Sequence, residues 1–162
     1  MDVGGGDGAF LEAVAVRYPD LELTLFDLPG VVVGASSQFT RVSGDIFNDP
    51  IPTADCVTLV RILHDHDDAA VDTILCGVHS ALDLGGRVVV AEPMAGREQY
   101  PPVAAGYFGL YLWTMGHGRL RSPEELSSAL RKAGFSRIRS VPCRRPLLAS
   151  VLIGDKISQG EP

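Results

Sequence analysis

The opening of the chain constrains its fold more than any other stretch. Residues 2–8 read Asp-Val-Gly-Gly-Gly-Asp-Gly. Glycines at this density let the backbone turn tightly and let a ligand approach the start of the next helix. Such a turn normally follows a buried central strand, which runs to about five or six residues. Only Met1, Asp2 and Val3 precede it. The expectation is a truncated first strand and a chain that is the C-terminal piece of something longer.

Beyond the turn, short apolar runs alternate with helical spacing. Leu21 to Asp27, Ala54 to Leu63 and Arg87 to Ala91 predict strands, with two more near 138–141 and 147–153. Gly8 to Tyr18 predicts a helix with Phe10, Leu11, Val14 and Val16 near one side. Asp67 to Leu82 predicts another, with Val71, Ile74, Leu75, Val78 and Leu82 at helical spacing. Ser122-Pro123-Glu124-Glu125 is a capping box with proline in its preferred place, opening a helix that stops at Gly134. The fold class is α/β, a mostly parallel sheet with helices on both faces. With 162 residues, 46% of them hydrophobic, the chain holds one core. Residues 1–154 form the domain and 155–162 a tail. A net charge of −6 argues against a nucleic-acid backbone binder. No apolar run reaches the ~20 residues of a membrane span. Three separated cysteines, Cys56, Cys76 and Cys143, predict neither disulfides nor zinc, and point to a reducing cytoplasm.

Two ligand classes fit the glycine turn. Gly4, Gly6 and Ala9 satisfy GxGxxA, and Asp27 follows Gly6 by 21 residues, near the distance for a ribose-binding acid of a dinucleotide site. S-adenosylmethionine uses a similar turn and carries no phosphate. Charge separates the two. Asp2 at the strand end and Asp7 at the helix start would repel a pyrophosphate and favour a ligand with an ammonium and a sulfonium. The residues favour the methyl donor. An NAD-dependent oxidoreductase is the alternative, as is a truncated domain that binds cofactor without turnover. Asp27 would accept from ribose hydroxyls. Asp45 would accept from an adenine amino group while Ile46 or Phe47 covers the ring.

His64-Asp65-His66-Asp67-Asp68 follows the Ala54 strand. Metal binding is disfavoured, because adjacent side chains diverge and Asp67 and Asp68 suit a helix N-terminus. The unperturbed pKa of histidine lies near neutrality, so His64 can act as a general base on a hydroxyl. Glu92 ends the next strand on the same sheet edge, where a carboxylate can fix the histidine tautomer. The stretch 100–115, rich in Tyr107, Phe108, Tyr111, Trp113 and Met115, would wall an apolar substrate pocket.

These segments together resemble the catalytic domain of the S-adenosylmethionine-dependent O-methyltransferases of the caffeic acid and acetylserotonin type. DVGGGDG (2–8), FDLPGVV (26–32), SGDIF (43–47), RILHDHDD (61–68), GGRVVVAEPM (85–94), GRLRSPEEL (118–126) and AGF (133–135) occur in family order. Residues 107–112, 115–119 and 145–148 are most similar to bacterial carotenoid methyltransferases, which act on hydroxyl groups of acyclic carotenoids. The resemblance implies a Rossmann-like class I methyltransferase fold and a small hydrophobic, hydroxyl-bearing acceptor. It implies His64 as catalytic base oriented by Glu92. It places Gly4, Asp27, Asp45 and Ile46 on cofactor positions and Asp65 beside the substrate; Asp2, Gly6, Leu28 and Arg61 complete the candidate cofactor set, with Tyr111 and Met115 as further candidates at the substrate. Three positions depart from the family pattern. His66 replaces a tryptophan, Leu120 replaces a second acid beside the arginine of GxxR, and Val60 replaces a lysine for which Arg61 could substitute. The resemblance further implies a homodimer made through an N-terminal helical domain absent here, with membrane association if the acceptor is a carotenoid.

Overall fold

Leu25 and Phe26 are neighbours in one strand and both are buried, at 0% and 2% exposure. Successive strand residues point to opposite faces, so both faces of that strand must be covered. Leu25 belongs to one core cluster and Phe26 to another. The computed structural model describes residues 1–95, 102–143 and 149–157, and for residues 102–105, 107, 108 and 111 the backbone alone.

Strands β1 (Asp2–Val3), β2 (Thr24–Asp27), β3 (Thr40–Ser43), β4 (Ala54–Val60), β5 (Leu82–Glu92), β6 (Ser136–Val141) and β7 (Ser150–Asp155) form one sheet in the order β3-β2-β1-β4-β5-β7-β6. The five strands from β3 to β5 run parallel, and β7 is antiparallel to both its neighbours. The expected mostly parallel sheet is met. The pairings Val3 with Phe26, Asp27 with Ser43 and Val60 with Ala91 bring the C-terminal ends of five strands to one edge. Open α/β sheets bind ligands along that edge.

Helices α1 (Ala9–Arg17) and α2 (Pro29–Val32) cover one face, burying Leu11 and Val32 against Leu25, Ala35 and Phe39. The opposite face carries α3 (Asp68–Ala81) and α5 (Pro123–Lys132). Val71, Ile74, Leu75 and Val78 of α3 and Leu126 and Leu130 of α5 pack there over Val57, Leu59, Val88, Val90 and Leu152. Asp67 caps α3 by accepting from the Ala70 N–H at 2.9 Å. Ser122 and Glu125 make the expected reciprocal box at the start of α5. Helix α4 spans Pro102–Met115.

Several boundaries differ from expectation for local reasons. β4 ends at Val60 because Arg61 turns into the left-handed region, φ 59°. β5 begins at Leu82, which pairs with Ala54, and continues through Gly85 and Gly86, which exchange backbone hydrogen bonds with Lys156. In α1 only Leu11 is fully buried, while Phe10 and Val16 are 39% and 86% exposed. Val16 lies two residues from Val14, on the other side of the helix. β1 has two residues, so Asp2 is a strand residue and is wholly buried. Residues 144–148, within the matched ending and the start of the last predicted strand, lie outside the described residues, as does 158–162 of the tail.

Candidate active site

At the C-terminal edge of the sheet lies a cleft of about 380 Å³ lined by Gly4, Phe26, Asp27, Leu28, Gly44, Asp45, Ile46, Phe47, Ile62 and His66. Gly4 makes the turn out of β1 at φ +71°, and its N–H donates to the Phe26 carbonyl at 2.8 Å. A Cβ at Gly4 would stand 2.6 Å from Ile62 Cδ1, so a side chain there would push on the opposite wall. Asp27, at the end of β2, accepts from the Gly6 N–H at 2.8 Å and the Leu28 N–H at 2.7 Å. This ties the glycine loop to the second strand. Asp45 accepts from the Phe47 N–H and the Asn48 side-chain amide, which hold its carboxyl below the usual carboxylate range. Phe47 meets His66 edge-on, ring centroids 5.2 Å apart. Burial pushes the His66 imidazole below its ordinary value, so it stays neutral at neutral pH. Among the described residues the lining carries two carboxylates and no lysine or arginine. It suits a cationic ligand with hydroxyls to donate and a flat ring to be covered. It offers a pyrophosphate no counter-charge.

Beside the cleft, Leu63–Asp65 form a single 3-10 turn flanked by Ile62 and His66, both of which line it. His64 is 3% exposed. Its Nδ1 lies 2.6 Å from Glu92 Oε2. Glu92 Oε1 accepts from the Ile62 and Leu63 N–H groups at 2.8 and 2.7 Å. A carboxylate only accepts, so Nδ1 carries a ring proton on the Glu92 side. Asp65 Oδ1 stands 3.2 Å from Nε2. Once Nε2 has taken a proton, that carboxylate faces an imidazolium.

The predicted residues divide accordingly. Gly4, Asp27, Leu28, Asp45 and Ile46 line the cleft; Gly6 is not in the lining and donates its N–H to Asp27. Asp2 stands apart from the cleft. It lies beneath the loop against Gly5 and Thr58, not in the lining. Asp7 also lies outside the lining and accepts from the Ala9 N–H at an exposed position. The charge of the cleft therefore comes from Asp27 and Asp45, not from the pair expected to set it. Burial pushes the Asp2 carboxyl up to about 6. Arg61 is exposed at the bend after β4 and does not line the cleft. Met115 is 42% exposed at the end of α4. It is absent from the adjoining hollow formed by Leu112, Trp113, Gly116, His117 and Leu120. Tyr111 lies on the α4 backbone and its side chain is outside the described residues. The five-residue His-Asp run separates by task. His64 meets Glu92, His66 lines the cleft, Asp67 caps α3, and Asp68 binds Arg119 and Arg121.

Sequence reasoning missed two contributors. The sequence gives His66 no role beyond the disfavoured metal cluster and a departure from the family pattern, and Arg121 none beyond the arginine of the GxxR segment. Arg121 is 3% exposed. Among the described residues the buried polar or charged side chains are Asp2, His64, Glu92, Arg121 and Ser150. A buried arginine is uncommon enough to mark a site once burial is known, but no spacing in the sequence reveals it.

The order of this sheet, its antiparallel β7 and a glycine-turn cleft beside a His–Glu pair define a Rossmann-like methyltransferase domain. The O-methyltransferase domain family model matches residues 1–136, and the chain belongs to that family. It is 46% identical over 160 residues to demethylspheroidene O-methyltransferase of Rhodobacter capsulatus, covering 96% of this chain and 41% of that protein. It is 37% identical over 152 residues to acetylserotonin O-methyltransferase of Bos taurus, covering 89% of this chain and 43% of that protein. The structure of human N-acetylserotonin methyltransferase in complex with SAM superposes with a TM-score of 0.87 at 28% identity, covering 97% of this chain and 47% of that one. The chain spans less than half the length of these relatives.

Proposed function

We propose that this chain is the catalytic domain of an S-adenosylmethionine-dependent O-methyltransferase that methylates a hydroxyl of a hydrophobic acceptor, with His64 as general base. The observation that carries it is the buried pair of His64 and Glu92 beside a cleft lined by carboxylates and free of lysine and arginine among the described residues. The cleft fits the methyl donor. Asp27 would accept from the ribose hydroxyls, Asp45 from the adenine amino group, and Ile46 and Phe47 would cover the ring. Bound there, S-adenosylmethionine supplies an electrophilic methyl on a sulfonium.

The chain's own residues do the rest. Asp27 and the glycine loop fix the donor, and alignment of acceptor oxygen with the methyl carbon can supply several kcal/mol, up to about 7–11 in ideal cases. Glu92 holds the imidazole with its proton on Nδ1. Nε2 takes the hydroxyl proton as the oxygen becomes nucleophilic, and Asp65 offsets the charge that develops. An aliphatic hydroxyl is a weak acid, so base assistance matters most for such an acceptor.

The acceptor we favour is an acyclic carotenoid hydroxyl. The similarity to demethylspheroidene O-methyltransferase supports it. The reading extends to a parent protein that dimerises through a helical domain preceding this one, in the cytoplasm and in contact with a membrane where the acceptor resides. Exposure of Leu110 and Trp113 on α4, at 62% and 79%, is consistent with a covering partner. No helix among the described residues is long and apolar enough to cross a membrane.

Methyl transfer from S-adenosylmethionine to demethylspheroidene by the full-length protein tests the proposal. His64→Ala should lower kcat by about 10²–10⁴-fold with S-adenosylhomocysteine affinity retained. Near-full activity in that variant would remove His64 from the chemistry.

A further inference from the structure

Four consecutive carbonyls around the base, those of Leu63, His64, Asp65 and His66, each accept a hydrogen bond from the segment 117–121. Arg121 Nη1 donates to the Leu63 carbonyl and Nη2 to the His66 carbonyl, both at 2.8 Å. The Arg119 N–H donates to the His64 carbonyl at 2.9 Å. His117 Nδ1 donates to the Asp65 carbonyl at 2.7 Å. A short 3-10 turn leaves most of its carbonyls without an internal partner. Here a segment more than fifty residues away in sequence supplies the donors.

Arg121 sits at the centre of this arrangement. Asp68 Oδ1 fixes its guanidinium, accepting from Nε at 2.9 Å and from Nη2 at 2.7 Å. Its own carbonyl accepts from the Ala95 N–H at 3.0 Å, three residues beyond Glu92. One residue thus holds both ends of the His64 turn and the exit of the strand that presents Glu92. Gly118 passes so close that a Cβ on it would overlap the His64 carbonyl, and its φ is +83°. The segment follows α4 directly.

We propose that Arg121 is a positioning residue for the His64–Glu92 pair: its guanidinium spans the Leu63 and His66 carbonyls and sets the direction of the His64 imidazole. A planar fork with five donors can span two carbonyls and a carboxylate at once, which a lysine ammonium cannot do in one geometry. The inference rests on His64 being the base, and displacing a base by about 1 Å can cost about 10²-fold in rate.

A double-variant cycle on the full-length protein, with S-adenosylmethionine and demethylspheroidene, separates the possibilities. Arg121→Met should lower kcat by about 10–10²-fold, with the dissociation constant for S-adenosylhomocysteine and the acceptor KM little changed. Arg121→Lys should recover part of the loss. In a His64→Ala background, Arg121→Met should cost nothing further, because its effect travels through the imidazole. An equal loss in both backgrounds, unchanged turnover, or a loosened cofactor overturns the positioning role. Should Arg121→Met not fold, the same cycle with Arg121→Lys decides by the same criteria. Full activity of His64→Ala alone is a separate result and overturns the base assignment first.

Discussion

At the scale of residues, Glu92 accounts for more of the site than its single side chain suggests. Its two oxygens accept from the Ile62 and Leu63 N–H groups and from the His64 ring. Glu92→Gln keeps the shape but offers an amide that can donate to Nδ1, which inverts the tautomer and moves the ring proton to Nε2. The expected outcome is a kcat loss of about 10²–10⁴-fold in steady-state methyl transfer, with unchanged S-adenosylhomocysteine binding. Asp2 makes a different prediction. Burial raises its carboxyl from 3.8 to about 6. The native state therefore holds this proton more tightly than the unfolded chain does. The resulting stabilisation is present below about pH 4 and is lost as pH rises through about 6. Denaturant unfolding of wild type against Asp2→Asn should show wild type gaining about 2–3 kcal/mol relative to the variant between pH 7 and pH 4. A flat difference across that range would contradict it. The sequence places Asp27 and Glu92 at the sheet edge because each ends a strand with a strong apolar signal, and His64 because it follows one. The side on which Asp2 lies is not legible in the sequence, because a strand of two residues gives no period from which to judge which way a side chain faces.

At the scale of elements, α3 and α5 followed directly from spacing and caps, and their described side chains behave as the pattern requires. Removing the cap oxygen with Ser122→Ala should cost about 1 kcal/mol in urea unfolding. Leu130→Ala, at a position with 0% exposure, should cost about 2–5 kcal/mol. If the two losses came out equal, the burial assigned to Leu130 would be wrong. Two elements escaped prediction for opposite reasons. β3, Thr40-Arg41-Val42-Ser43, is an edge strand with three of four residues exposed, so it carries no apolar run. α2 is a single turn begun by Pro29, shorter than any helical period can register. The sequence carries the fourth strand on to Leu63, past its end at Val60, because Ile62 and Leu63 continue its apolar run. The left-handed Arg61 that ends the strand leaves no mark in composition.

For the molecule as a whole, the parallel register explains why acids scattered between residues 27 and 92 converge. Each of the five parallel strands delivers its last residue to one edge, and the glycine loop opens the space above β1. The links made by Arg121 could not be read in the same way. They join the turn after β4 to the segment after α4, and only the closed fold brings the two together. The chemistry assigned here depends on the charge of the cleft. Titration calorimetry of the protein with S-adenosylhomocysteine and with NAD measures that most directly. Saturable one-to-one binding of S-adenosylhomocysteine, weakened in Asp27→Ala, and no heat from NAD is the predicted result. Binding of NAD with none of S-adenosylhomocysteine would contradict it.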